Sequence, residues 1–538
     1  MKKIPVGLSI GLTMVLLCGS FAGAIGLAPG AVGWSSPAPI SNTAGSSYYP
    51  RLGYDTADTL HLVWQDWIDL GTHWPYILYA QKSGDGPWSA YTYLPGNAQG
   101  VEPALDVGTD GVVHVVFMRS DNSIAYVRRA AGGTWSAVET VSATSDYSSG
   151  IDIAVALDGT VHVVWRYCAG SGQDGLIYHR ARSSAGSWSN TALVSTSGGD
   201  ASLPLITTDA NSTAHLLWNR SASGVYGIDY AAKPTGGNWS APQELVDSAT
   251  LSSVEQLARD SAGALHLVWS VRDGVADPAI YYAHQPPGQP WSAAEHVHSG
   301  YADQIAVATA GNGLAHIAWS DNGWLWHTFQ NPRGGWFAPT RADMRSGLLD
   351  LRGALTLAVD ADGAPHATWD SGPVSDPPDG TQRGEVWYAA WSGPLAASTV
   401  ITDGGGSASS ASGLTVVAFP AGAVLTDTLV THTPVTLPPS DMAVVDAFDL
   451  SATRASDGVS VTTFLKPYTL TVSYTDAGKG AAIEATLGLY WRDGDTWTAI
   501  PSAEVNVAAN VITATLDHFT VFAVMGETHH VYLPLVLR

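Results

Sequence analysis

Seven histidines are the first residues whose type and spacing could do chemistry. A His followed three residues later by an aromatic occurs at His61/Trp64, His114/Phe117, His162/Trp165, His215/Trp218, His266/Trp269, His316/Trp319 and His366/Trp369. Metal binding or proton transfer requires such groups to converge. Successive His residues lie 53, 48, 53, 51, 50 and 50 apart, one per repeat, so they are spread out instead. The expectation is a buried His with one nitrogen satisfied by a hydrogen bond between repeats. Asp-Gly pairs precede several of them, and Asp in a tight turn normally bonds its own backbone rather than calcium. The only cysteines are Cys18 and Cys168. The first belongs to an N-terminal apolar run, so no disulfide and no cysteine-based metal site is expected. Neither a metal nor another cofactor is expected.

Carboxylates come next. Glu102, Asp152, Glu255 and Asp303 fall near the start of a predicted strand in different repeats. Glycoside hydrolysis needs two carboxyl groups flanking one bond. In a chain with 47 acids, four such positions arise without selection, and no catalytic residue is assigned. Ser/His/Asp, phosphate-loop and His-Glu-x-x-His patterns are missing. Arginine is more telling. Arg119, Arg166, Arg220 and Arg272 each follow the repeat aromatic by one to three residues, in four consecutive repeats, although the chain has only 18 Arg. Together they would line one arc of the mouth of a ring of repeats, with planar donors for carboxylate or sulfate. Trp67 and Trp74, in the loop QDWIDLGTHWPY, would add faces on which sugar rings stack.

These residues ride on a repeated unit. Each His lies in a short apolar run (HLVW, HVVF, HVVW, HLLW, HLVW, HIAW, HATW) that fits a strand covered on both faces. A turn and another short strand precede it. A third strand is marked by Tyr79, Tyr126, Tyr178, Tyr230, Tyr282, Trp326 and Tyr388, and a fourth by Trp-Ser pairs such as Trp88-Ser89 and Trp135-Ser136. Four strands in about 50 residues, seven times over, are the signature of a β-propeller. The seventh repeat lacks its fourth strand, since only three residues separate Tyr388 from Trp391. An unpaired Trp34-Ser35 lies at the other end of the chain. Residues 34–40 are therefore expected to complete the seventh blade and close the ring. The fold class is all-β: a seven-bladed propeller over 31–395, closed by an N-terminal strand and followed by a β-sandwich.

The repeat resembles the propeller repeats of secreted sialidase-like and lectin-like proteins, over residues 34–392. It departs from sialidases in lacking their Ser-x-Asp-x-Gly-x-x-Trp box and in having seven repeats for the usual six. Tyr49-Pro50-Arg51 matches that family's Arg-x-Pro segment only in reverse. Arg51 occupies an ordinary repeat position, filled elsewhere by Ala104, Asp152, Leu205 and Gln256, so it inherits no catalytic role. Residues 396–412 (AASTVITDGGGSASSAS) read as a flexible linker. Seven or eight short strands over 413–526 read as an antiparallel sandwich. Its segments Phe419-Pro420-Ala421-Gly422-Ala423, Phe464-Leu465-Lys466-Pro467, Leu489-Tyr490-Trp491 and His518-Phe519-Thr520-Val521-Phe522-Ala523 resemble ZU5-type modules, which implies a structural or interaction role.

Charge narrows the partners. With Lys+Arg 24 against Asp+Glu 47, the net charge of −23 argues against nucleic acid and anionic lipid. Met1-Lys2-Lys3, an apolar stretch and Ala22-Gly23-Ala24 read as a signal peptide over 1–24, placing the protein outside the cell or on its surface. No other run is long enough to span a bilayer, and the apolar tail at 527–538 is too short. The expected function is non-catalytic glycan binding or adhesion by a monomer. The alternatives are a sialidase-like exo-glycosidase or other polysaccharide-degrading enzyme, and a scaffold whose partner is a surface protein.

Overall fold

The computed structural model describes residues 33–528 apart from short internal stretches, among them 69–73, 272–277, 344–353 and 375–382. The expected signal peptide, Arg272 and the tail beyond Thr528 lie outside the described residues. The described chain is all-β apart from one short 3-10 turn at Glu484–Thr486. Residues 33–392 form seven antiparallel sheets, numbered here in chain order from Ser47. The inner strands are Ser47–Tyr54, Val101–Val107, Tyr147–Val155, Asp200–Thr208, Leu251–Arg259, Gln304–Thr309 and Thr356–Val359. The second strands, which carry the His-x-x-aromatic motif, are Thr59–Asp66, Val113–Met118, Val161–Cys168, Ala214–Ala222, Leu265–Val271, Ala315–Asp321 and Pro365–Val374. Between the two, glycine supplies the left-handed backbone of the turn, at Gly111 (φ +72°) and Gly159 (φ +78°) for example. The neighbouring aspartates bond their own loops, Asp110 Oδ1 accepting from Val112 N at 3.1 Å and Asp158 Oδ1 from Thr160 N at 2.9 Å.

A separation of three residues in a strand puts two side chains on opposite faces. The motif aromatic therefore faces the preceding sheet and the His the following one. Trp64, Trp165, Trp218, Trp269, Trp319 and Trp369 are all at most 3% exposed, each packed in the gap behind its own sheet. Every gap holds its own apolar cluster, and burial of these large side chains is worth roughly 1.5–3 kcal/mol apiece. Each inner strand packs on the next, and Thr356–Val359 packs on Ser47–Tyr54, so the sheets form a closed cycle.

On the other face, His Nδ1 bonds the ring of the third strand at 2.7–3.1 Å in all seven sheets. This bond lies within a sheet, not between repeats as expected. What crosses the gap is aromatic: the Trp of the next Trp-Ser pair, or of Trp336-Phe337 in sheet 6, meets the third-strand ring edge-on at 5.0–6.0 Å. In sheets 3 and 6 the ring in this place is His179 and His327, not Tyr178 and Trp326. The register decides it, because Val164↔His179 and Ala318↔His327 match Val63↔Tyr79. Burial holds His114 and His162 down at about 4 and His316 at about 3, so these rings are neutral at ordinary pH.

The seventh sheet draws its outer strands from the N-terminal end. Gly33–Trp34 and Ala38–Pro39 pair antiparallel with the third strand Arg383–Ser392, in the registers Trp34↔Trp391 and Ala38↔Tyr388. Trp34 takes the edge-on place against His327 at 5.6 Å. Ser35 Oγ accepts from Ala390 N at 3.1 Å, just as Ser136 Oγ accepts from Arg128 N at 3.1 Å.

Residues 395–528 form two facing sheets around one core that includes Phe448, Tyr468, Leu470, Ile512 and Phe522. Strand order is 397–401, 428–434, 443–454, 521–526, 488–493, 496–499 in one sheet and 406–409, 415–419, 463–473, 511–518, 504–506 in the other. Nine strands fall within 413–526, more than the seven or eight expected. The stretch 396–412 is not a flexible linker. Ala397–Ile401 and Gly406–Ser409 are edge strands, one in each sheet, paired to 428–432 and 416–419. Small side chains here are packing residues: Ala397, Ser398, Ile401, Ala408 and Ser409 are buried.

Candidate functional site

The inner strands of all seven sheets surround a central cavity of about 830 Å³. Since neighbouring strands run antiparallel, inner strands begin on the face where second strands end. That face, the mouth, carries the loops between second and third strands.

The inner strands of sheets 1 to 5 do not enter the cycle as regular strands, whereas those of sheets 6 and 7 pair without a register shift. Register shifts interrupt the pairing at Tyr48/Arg51, Val101/Ala104, Ser149/Asp152 and Ser202/Leu205. The bulged residue sits in the left-handed region: Tyr49 (φ +55°), Glu102 (φ +52°), Gly150 (φ +57°) and Leu203 (φ +48°). A bulge removes an N–H from the ladder, and side chains of the preceding sheet collect three of them. Tyr49 N donates to Asp370 Oδ2 at 2.8 Å, Glu102 N to Gln65 Oε1 at 3.0 Å and Gly150 N to Glu102 Oε2 at 2.7 Å. Lower in the cavity, Asp106 Oδ2 accepts from Val155 N at 2.7 Å and Asp152 Oδ2 from Ile206 N at 2.8 Å.

Arg51 and Asp152 occupy equivalent positions of sheets 1 and 3, opposite Val63 and Val164. Both line the cavity, and the equivalent residue between them, Ala104, carries only a methyl. Arg51 has Asp152, Glu102 and Asp370 as its charged neighbours. Burial pushes Asp152 up to about 7, against the pull of the Ile206 and Ile153 N–H groups and Arg51. Burial also raises Glu102, opposed by the Gly150 N–H and Arg51, and Asp106, opposed by Val155 N–H. An acid near neutrality suits proton transfer, yet each of these carboxylates has an oxygen committed to the main chain of the next sheet. Asp303 lines the same cavity and is exposed, whereas the side chain of Glu255 lies outside the description. The sequence treated Arg51 as an ordinary repeat position, which it is. Its significance comes from what the cycle places opposite. Among the described residues, no group of three or more His, Cys, Asp or Glu is arranged to hold a metal.

Of the four arginines, the three that are described do not line the cavity. Arg166 follows its Trp by one residue and faces forward, while Arg220 follows its Trp by two and faces backward, both within their strands. Arg166 and Arg220 nevertheless approach one gap, between sheets 3 and 4. Arg166 Nε donates to Ala201 O at 3.0 Å, and Arg220 is the cross-strand partner of Ala201. Both carry carboxylates: Arg166 pairs with Asp200 at 2.7 Å, and Arg220 with Asp229 at 3.0 Å and Glu244 at 2.6 Å. Two cations thus meet three anions. Arg119 sits in a tight turn, its N–H bonded to Ser123 O at 2.8 Å. Trp67 and Trp74 are partly buried beside the second and third strands of sheet 1, and none of these described candidates lines the cavity. The sequence reading missed two exposed mouth-side rings, Tyr226 (46% exposed) and Tyr301 (52%). Their signal was a tyrosine outside the repeat positions.

No family model matches the chain. No curated protein matches it either. Among solved structures, the BP39L lectin from Burkholderia pseudomallei is similar, with 13% identity over 63% of this chain and 98% of that one, at a TM-score of 0.47. The polysaccharide lyase Uly1 has 12% identity over 67% and 99% of the two chains, with a TM-score of 0.43. The α-L-arabinofuranosidase Arb93A from Fusarium graminearum has 12% over 66% and 97%, with a TM-score of 0.38. A lectin, a polysaccharide lyase and an arabinofuranosidase thus stand side by side among the structures this chain partly resembles.

Proposed function

We propose that this chain is a secreted or cell-surface binding protein without catalysis. In this reading it is a seven-bladed β-propeller, closed by its N-terminal strand and joined to a ZU5-like sandwich, that recognises glycans on the mouth face. The observation that carries the reading is the use made of the carboxylates at the mouth and in the cavity below it. Hydrolysis requires one carboxyl free to protonate and another to attack or activate water. Here Glu102 and Asp152 hold the N–H groups of Gly150 and Ile206 and share Arg51 as counter-charge. Tyr226 and Tyr301, with Trp67 and Trp74, offer ring faces for sugar stacking on the mouth side. Arg166 and Arg220 do not make a polyanion site in this reading, since Asp200, Asp229 and Glu244 neutralise them.

The test is an array of neutral, sialylated and uronate glycans, paired with a panel of chromogenic glycosides. Neutral glycans should bind at least as well as acidic ones, and Tyr301→Ala should weaken binding about 2- to 10-fold, the worth of one stacked ring. Glycoside turnover that disappears in Glu102→Gln or Asp152→Asn would assign an exo-glycosidase instead. No glycan binding at all would leave a scaffold for a surface protein.

A further inference from the structure

We infer that the sandwich is not a mobile module on a tether but is clamped to the propeller-like ring, on the face opposite the mouth. The clamp is the turn after the third strand of sheet 6 (Trp324–Phe329), which lies on the side away from the mouth. There Phe329 and Phe337, 5% and 2% exposed, bury Ala397 between them and the partly buried Leu395 and Ala411. Two polar contacts fix the register across the joint. Ala338 N donates to Ser398 O at 2.7 Å, and Ser409 Oγ donates to Asn331 Oδ1 at 3.0 Å. Pro332 packs so close to Gly413 that a Cβ there would lie 3.1 Å from it. On the sandwich side, Ala397, Ser398 and Ser409 belong to its two edge strands, and Leu395, Ala411 and Gly413 to the chain that flanks them, so the joint and the sandwich core share one backbone. A tether would leave this backbone solvated. A clamp protects it, and leaves the mouth open to a large partner whatever that partner is.

The experiment is limited thermolysin digestion of the full chain, followed by intact mass, with and without Ala411→Asp. Thermolysin cuts before Leu, Val, Ile and Ala, all present in 395–413. The expected result is that this segment survives as long as the strands around it. The charged variant should accelerate cutting there about ten-fold or more while leaving the thermal transition of the ring in place. Early release of two stable fragments from the unmodified chain overturns the inference, even if the variant fails to fold. Equal cutting rates in a folded variant overturn it as well.

Discussion

Acidification from about pH 7.5 to about pH 5 sets two groups of buried titratable side chains against each other. His114 and His162 are held at about 4 and His316 at about 3, all chiefly by burial. Their folded values lie below the ordinary 6.5, so between about 6.5 and 4 the unfolded chain binds protons that the folded chain refuses. Stability present at neutral pH is therefore lost as the pH falls through that window. At about pH 5 the arithmetic gives ~2 kcal/mol per ring, hence ~6 kcal/mol for three. Asp152 acts in the opposite sense. Its value of about 7 lies above the ordinary 3.8, so its charge costs stability at pH 7.5 and acid relieves it. That relief is about 2–3 kcal/mol by pH 5. Glu102 and Asp106, which burial also raises, add to that relief, whereas His432, held at about 4, and His179 and His327, both held well below 6.5, add to the loss. The histidines outweigh the carboxylates, and the expected net loss is a few kcal/mol. Urea titration followed by the fluorescence of the 21 tryptophans measures it. Moderate salt should be present to screen the change in net charge. A midpoint that is flat or rises between pH 7.5 and 5 refutes the assignment of these rings as buried and neutral.

Two further outcomes follow from closure and from the mouth. Trp34→Ala removes a partly buried ring that meets His327 and Trp391 edge-on at 5.6 and 6.1 Å, and should cost about 2–4 kcal/mol in urea; a cost under about 0.5 kcal/mol would mean that the N-terminal strand does not hold the seventh sheet. Arg51→Met leaves Glu102, Asp152 and Asp370 without their shared cation and should cost about 2–4 kcal/mol near pH 7.5, less at pH 5, where Asp152 is protonated; an unchanged midpoint at both pH values refutes the role given to Arg51.

Some of this protein was determined by sequence alone. Apolar runs with a fixed period of about 50 residues leave sheets that cannot bury their faces singly, so stacking is forced. A missing fourth strand at one end and a spare Trp34-Ser35 at the other require each other because an unpaired edge is costly. The tertiary structure decided what one-residue offsets do. Whether an arginine comes one or two residues after the Trp sends it to opposite gaps. That is why Arg166 and Arg220, from neighbouring sheets, meet at Ala201. The same offset makes His179, not Tyr178, the partner of His162. Arg51 and Asp152 are equivalent positions on a single repeat, and their opposition exists only because the ring brings sheets 1 and 3 to one cavity. The Gly/Ser-rich stretch after residue 396 reads as a tether by composition. It becomes two edge strands because small residues are what a sheet edge pressed against Phe329 and Phe337 can accommodate. Local pattern chooses strand and turn; side-chain neighbours across a gap depend on register, and register is settled only when the faces pack.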